Sequence, residues 1–241
     1  KSILNQGMKY LDVFDQVVEL KNGKYPVVLN DSGSAMAPFN KLTESFIANK
    51  YHDGAALFSG KLGQKLFSDK ITLCDKAYDT KKNQPNFFDG EGIVRTSDLT
   101  MIDHGVFKNL FYDLRFAEKY KAQTTGNGLR AYNQGVTLAA RDLHFKPGQK
   151  TWKEIIKDHD RCIVVNLGIG GDGNDLGEYS TPVQAAYIYE KGELIGRAPQ
   201  VTIKTSVQRA LNEDLVDVSS DGLSGDKSRG LVVSLMDVFN N

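Results

Sequence analysis

The chain has 241 residues, enough to bury a sizeable core as one large domain or two small ones. Its 40% hydrophobic and 25% charged residues are an ordinary globular composition and exclude a disordered chain. Lys plus Arg and Asp plus Glu stand at 30 each, and this zero balance argues against a dedicated nucleic-acid binder. No apolar run approaches the ~18–20 residues of a membrane span.

The chain opens on "KSILNQGMKYLDVF", where Ile3, Leu4, Met8, Leu11, Phe14, Val17 and Val18 fall near helical spacing until "KNGK" stops the helix. Residues 1–24 are expected to be a helical lead-in from a missing N-terminal domain, and residues 25–241 the domain proper. "YPVVLN" is a short apolar strand. From Ala35 to about Lys50, the positions of Phe39, Leu42, Phe46 and Ile47 predict an amphipathic helix. "LFSGKLGQKLFSDKITLCD", Leu57 to Asp75, reads as a glycine loop running into a buried strand, and "DKAYDTKKNQPN" as a polar loop.

"GIVRTSDLTMIDHGVFKNLFYD" predicts two strands joined at "IDHG". "LRFAEKYKA" is helical and "TTGNGLR" a glycine turn. Thr151 and Glu154 in "TWKEIIKDHD" fit a capping box at a helix start. "RCIVVNL" is a buried strand, "VQAAYIYEKGELIGRAPQVTI" a hairpin around "EKGE", "SVQRALNEDL" a helix and "GLVVSLMDV" a last strand. Antiparallel strands interrupted irregularly by short helices predict an α+β, β-rich fold with a mostly antiparallel sheet. Both cysteines, Cys74 and Cys162, sit in strand text and read as reduced buried thiols, which suits a cytoplasmic protein.

Three motifs invite chemistry and fail on context. "GIGGDG" (Gly168, Gly170, Gly173) has dinucleotide-loop spacing, but alternating strand text with Pro182 follows where a helix must open. "GKLGQK" lacks the spacing and the hydroxyl of a phosphate loop, so Gly60 and Gly63 read as turn formers and Lys61 and Lys65 as solvated. Among the histidines no two lie at i, i+4, and His159 with Cys162 supplies two zinc ligands where three or four are needed. No nucleophile elbow and no paired carboxylates can be assigned, so the residues alone give no active site.

The order of several blocks carries more. "FSGKLGQKLFSDKITLCD", "FFDGEGIVRTSDLTMIDHGVFKNLFYDLRFAEKY", "TTGNGLRA", "LHFKPGQKTWKEIIKDHDRCIVV" and "YIYEKGELIGRAPQVTI" together resemble the TldD/PmbA family, from near "YPVVLN" to the C-terminus. That family is also known as modulator of DNA gyrase and as a peptidase family. The match is to its C-terminal domain. The resemblance implies a cytoplasmic bacterial or archaeal protein working as a dimer in proteolysis of small peptides. In the TldD-type subunit an H-E-x-x-x-H helix, upstream of the "SGKLG"-type loop, binds zinc with a further cysteine. The PmbA-type (TldE) subunit lacks those ligands and partners TldD.

Counting back from "SG" without a gap, Phe39 stands at the first histidine of that motif, Asn40 at the catalytic glutamate and Glu44 at the second histidine. Phe cannot ligate zinc and Asn cannot act as a general base. Residues 30–51 contain no histidine, and "SSDGLSGDKSRG" contains no cysteine. The chain therefore resembles the PmbA side: a non-catalytic subunit or scaffold with no cofactor of its own, zinc being expected in a catalytic partner. Its partner is expected to be a TldD-like subunit or a second copy, acting on a peptide substrate. Ser59, Gly60, Lys61 and Gly63 form the loop after the degenerate zinc helix. "GEYSTPVQAAYIY" departs from the family's small, glycine-rich pattern, so substrate preference does not carry over.

Gly126, Asn127, Gly128 and Arg130 are the candidate peptide or partner contact, since the glycines let backbone approach closely and Arg130 can meet a carboxylate. A structural turn with a solvated arginine is the competing reading of the same residues. Two other functions stay open: an enzyme with an unrecognised metal-independent hydrolytic site, and a DNA-topology modulator, against which the balanced charge weighs.

Overall fold

A computed structural model describes residues 8–29, 39–77, 88–168, 173–223 and 227–241. The polar loop expected over "DKAYDTKKNQPN" falls mostly outside them, as do residues 30–38. In chain order the elements are β1 (Gly23–Leu29), α1 (Asn40–Ser45), α2 (Ala48–His52), β2 (Leu73–Asp75), β3 (Leu99–Asp103), β4 (Val106–Phe107), α3 (Leu114–Tyr120), β5 (Gly128–Leu129), β6 (Thr137–Leu138) and β7 (Leu143–Phe145). There follow α4 (Trp152–Lys157), β8 (Arg161–Gly168), β9 (Glu178–Glu190), β10 (Glu193–Arg197), β11 (Val201–Ser206), α5 (Val207–Ala210), β12 (Leu215–Val218) and β13 (Val232–Asn240). The fold is α+β and β-rich, as the strand text implies. Two compact units share the chain: Lys1–Asn40 with Phe145–Asn241, and Lys41–His144.

In the first unit, apolar runs such as "VVL" of β1 and "CIVV" of β8 suit strands buried on both faces. β1 pairs in parallel with β8 and antiparallel with β13, while β8–β9, β9–β11 and β11–β13 are antiparallel. These pairings close a ring of five strands. Val27 lies opposite Ile163, Ile163 opposite Ile188, and Ile203 opposite Val238. All five are at most 1% exposed and fill one face. On the other face Val28, Cys162, Val164, Tyr189 and Val233 meet Trp152, Ile155 and Ile156 of α4. Helix α4 starts on the expected capping box: Thr151 accepts from the Glu154 N–H, and the Glu154 carboxylate accepts from the Thr151 N–H. Each apolar side chain buried there contributes about 1.5–3 kcal/mol.

The hairpin at "EKGE" forms as expected, with Lys191 (φ 47°) and Gly192 (φ 86°) making the left-handed two-residue turn between β9 and β10. Helical text proves shorter than its periodicity predicts. At the start only 8–12 are helical among the described residues, because Val18 N–H turns to the Arg197 carbonyl (3.0 Å). "SVQRALNEDL" keeps a helix only over Val207–Ala210.

In the second unit the sheet order is β4-β3-β2-β7. The single helix expected over 35–50 is split into α1 and α2 where it is described. Phe111 intervenes: its N–H donates to the Phe46 carbonyl (2.6 Å) and its carbonyl accepts from Ala48 N–H (3.3 Å), so this stretch pairs as strand. Phe46, with Phe107 and Phe111 edge-on at 5.5 and 5.7 Å, anchors the core there. The "IDHG" hairpin turns on His104 (φ 44°) and Gly105 (φ 80°). Leu66 and Phe67 N–H groups both donate to the Gly105 carbonyl, so the 57–75 stretch wraps around this turn.

Strand β2 ends on Asp75, a carboxylate fully buried among donors from three other segments. One oxygen accepts from the N–H groups of Arg141 (2.8 Å) and Asp142 (2.7 Å). The other accepts from Arg95 Nη2 (3.0 Å) and Asn127 Nδ2 (2.7 Å). Taking a carboxyl group out of water is costly without such compensation.

Two stability outcomes follow from these contacts. Asp75→Ala strands the buried Arg95 charge and three other donors, and lowers unfolding free energy in urea by about 3–5 kcal/mol; a loss under about 1 kcal/mol contradicts the role given to the carboxylate. Gly54 (φ 76°) has nothing near a would-be Cβ, whereas a Cβ on Gly105 would lie 2.1 Å from the Phe67 carbonyl oxygen. Gly54→Ala should cost about 1–2 kcal/mol for the left-handed backbone alone, and Gly105→Ala a further ~1–3 kcal/mol for the clash. Equal losses in the two variants would show that the turn does not bear on Phe67.

Candidate functional site

"TTGNGLR" folds as a turn entering β5. Gly126 takes φ 66°, a left-handed backbone that suits glycine, and an added Cβ would press Ile93 at 3.3 Å. Asn127, only 1% exposed, is a fastener: its amide donates to Asp75 and to the Ala139 carbonyl (3.0 Å), and its oxygen accepts from Arg95 Nη1 (3.1 Å) and Thr125 Oγ1 (2.8 Å). Gly128 N–H donates to Asp89 Oδ2 (2.8 Å), and its carbonyl accepts from Gly90 N–H (2.6 Å). The close approach that these glycines permit is thus partly taken up by the chain's own "FFDGEG" loop. Arg130 is exposed, and its Nε donates to the Gly90 carbonyl (3.0 Å).

Beside this turn, within the same unit, lies a cavity of about 320 Å³ walled by Phe88, Gly90, Leu129, Arg130, Ala139 and Arg141. Arg141 comes from the segment that Asp75 grips. Its two terminal nitrogens are closed to water and have no hydrogen-bond partner. Burial, then the neighbouring Arg95 charge, pushes its ionisation below the usual arginine range, against a smaller pull from Asp89 and Asp75. Sequence reading missed Asp75, Asp89, Arg95 and Arg141. Only Asp89 left a local signal, an Asp-Gly turn in which its Oδ1 accepts from Glu91 N–H (2.9 Å) and Ile93 N–H (2.9 Å).

The loop of Ser59, Gly60, Lys61 and Gly63 is a succession of turns. Gly60 (φ 73°) and Gly63 (φ 81°) are left-handed, Ser59 Oγ donates to the Ala56 carbonyl (2.9 Å), and Gly63 N–H donates to the Phe107 carbonyl (2.7 Å). Lys61 is exposed. The Gly63 bond holds the loop to the β4 strand.

The three residues that the ungapped count sets at the zinc motif carry other work. Phe39 is 4% exposed and meets Phe145 edge-on at 5.5 Å. Asn40 is the exposed first residue of α1. Glu44 pairs with Lys41 (3.3 Å) and Lys50 (3.4 Å). These residues do not fit a zinc ion: one cannot donate electrons to a metal, and the carboxylate is already held by two ammonium groups. Cys162 does not suit a metal either. Its thiol donates to the Ile156 carbonyl (3.5 Å), and burial pushes it up to about 12, far from the thiolate a metal needs. Among the described residues no three His, Cys, Asp or Glu side chains converge in metal-binding geometry.

Of "GIGGDG", Gly168 ends β8, Gly170 lies outside the described residues, and from Gly173 the chain runs through a turn into β9 without a helix. The dinucleotide reading lacks its helix there. Part of "SSDGLSGDKSRG", residues 224–226, also lies outside the described residues. No described helix is long and apolar enough to cross a membrane.

Similarity to known proteins runs along most of the chain. A metalloprotease of Methanocaldococcus jannaschii is 25% identical over 175 residues, 71% of this chain and 38% of that protein. A metalloprotease TldD homolog of Haemophilus influenzae is 22% identical over 174 residues, 71% of this chain and 36% of its own length. The chain thus spans well under half the length of these relatives. The crystal structure of TldE from Thermococcus kodakarensis has the same fold, with a TM-score of 0.85 at 23% identity over 99% of this chain and 55% of that one. So does a Thermotoga maritima protein described as a modulator of a DNA gyrase, with a TM-score of 0.76 at 24% identity over 92% and 51%. Residues 22–232 match the family described as PmbA/TldA metallopeptidase C-terminal domain, and the chain belongs to that family.

Proposed function

We propose that this chain is a PmbA/TldE-like, non-catalytic subunit of a TldD-type metallopeptidase complex that acts on small peptides. The observation that carries the reading is the occupation of the zinc-motif positions. Phe39 is a core aromatic, Asn40 has no basic group, and Glu44 sits in ion pairs. In a peptidase of this kind the metal polarises the scissile carbonyl and lowers the pKa of bound water, while a carboxylate takes its proton. Phe39 can do neither, Asn40 cannot take the proton, and the Glu44 carboxylate is held by Lys41 and Lys50.

What such a subunit can contribute is binding and framing. The closed ring of β1, β8, β9, β11 and β13 is a rigid support. The second unit carries the turn of Gly126, Asn127, Gly128 and Arg130, with its cavity, as the peptide- or partner-facing part. Kinship to proteins named metalloprotease and TldE supports assignment to the complex, and the side chains at the motif support assignment to its non-catalytic half. The zinc, in this reading, belongs to the partner.

The test is reconstitution. The purified chain is assayed for cleavage of short peptides alone, and then with a TldD-type subunit bearing H-E-x-x-x-H. Cleavage in the mixture but not by this chain alone is the expected result, with the two copurifying. Cleavage by this chain alone, surviving a chelator, would replace the reading with that of a metal-independent hydrolase.

A further inference from the structure

Arg141 is an anomaly in the electrostatics of the second unit. Asp75 and Asp89, the carboxylates whose charges act on it, are committed elsewhere. Both Asp75 oxygens serve the four donors described above, and Asp89 serves the N–H groups of Glu91, Ile93 and Gly128. Glu91 Oε2 accepts from Leu114 N–H (2.8 Å). Arg95, by contrast, has both terminal nitrogens engaged, Nη1 on the Asn127 oxygen (3.1 Å) and Nη2 on Asp75 and on the Lys76 carbonyl (2.9 Å). Arg141 is left with its terminal nitrogens shielded from water and without a hydrogen-bond partner. A shielded cation with no hydrogen-bonded counter-charge is costly, and an anion brought to it is correspondingly favoured.

The same residue forms part of the cavity wall, and the exposed Arg130 stands on that wall too. We propose that this cavity is a carboxylate subsite for peptides, in which Arg141 and Arg130 clamp a terminal or side-chain carboxylate while Phe88 and Leu129 contact the residue that bears it. Phe88 (65% exposed) and Leu129 (53% exposed) are large apolar side chains left open at this wall. About 320 Å³ is room for one residue and its carboxylate rather than for a long segment. A singly charged group suits the site better than a phosphate dianion, because Asp75 and Asp89 lie close enough to Arg141 to act on its charge. The Arg141 head lies recessed in the wall, so engagement involves rotation of its flexible side chain toward the cavity.

This inference rests on the peptide-handling reading above, and its test is separate from the reconstitution assay. Binding to the full chain is measured by calorimetry for two probe pairs. One is Ala-Ala-Phe against its C-terminal amide; the other is Ala-Glu-Ala amide against Ala-Gln-Ala amide. At least one acid should bind about tenfold or more tightly than its neutral counterpart, as a charge-assisted contact requires. The pair that shows the preference tells a terminal from a side-chain carboxylate. Arg141→Met should abolish the preference while the chain stays folded by circular dichroism. Arg130→Gln, at an exposed position, should reduce it at least about threefold and guards against misfolding of the first variant. Equal binding within both pairs overturns the proposal, as does a preference that survives both substitutions. Failure here with partner-dependent cleavage intact removes the subsite and leaves the functional reading; an acid preference without such cleavage does the reverse.

Discussion

The second unit depends on one buried carboxylate. Asp75 draws together β2, Arg95, the Asn127 turn and the Arg141–Asp142 backbone, segments far apart in sequence, through four hydrogen bonds. A buried carboxyl group in that setting is tolerable only when every donor is in place, so the contact is close to all-or-none. Its geometry then dictates the cavity. Asn127 is pinned, so the glycines on either side of it must take the conformations that let the Asp89 loop close in. Arg141 is held by its backbone to Asp75, while its side chain finds both Asp75 oxygens already in use. The unpaired cation is thus a consequence of the knot and not a separate feature.

The first unit solves a different problem. Its ring closes because β1 is shared between β8 and β13, one partner parallel and the other antiparallel. Closure buries "VVL" and "CIVV" on both faces and makes α4 the cover of one of them. Phe39 lies in this unit's core against Phe145, where a charged or metal-bound side chain would need compensation that an aromatic ring does not.

What could be read from sequence was local or periodic. The capping box at Thr151 and Glu154, the left-handed turns at "IDHG" and "EKGE", and the buried strand at "RCIVV" each depend on residues within a few positions. Helix lengths were overestimated where distant backbone intervened: Phe111 breaks the segment around Phe46, and Arg197 captures Val18. Periodicity cannot see a strand contributed from sixty residues away. The cavity was invisible for the same reason. Gly126 to Arg130 are legible as a glycine turn, but Asp75, Arg95 and Arg141 carry no spacing signal, since their partners lie 20 to 67 positions distant.

The central proposal is that this member of the metallopeptidase C-terminal domain family holds no zinc of its own. The most direct measurement is the zinc content of the purified chain after equilibration with excess zinc and removal of the free ion. The account predicts far below one zinc per chain, since a stable site needs three or four converging ligands. About one tightly held zinc per chain would contradict it and place the catalytic apparatus in this polypeptide after all.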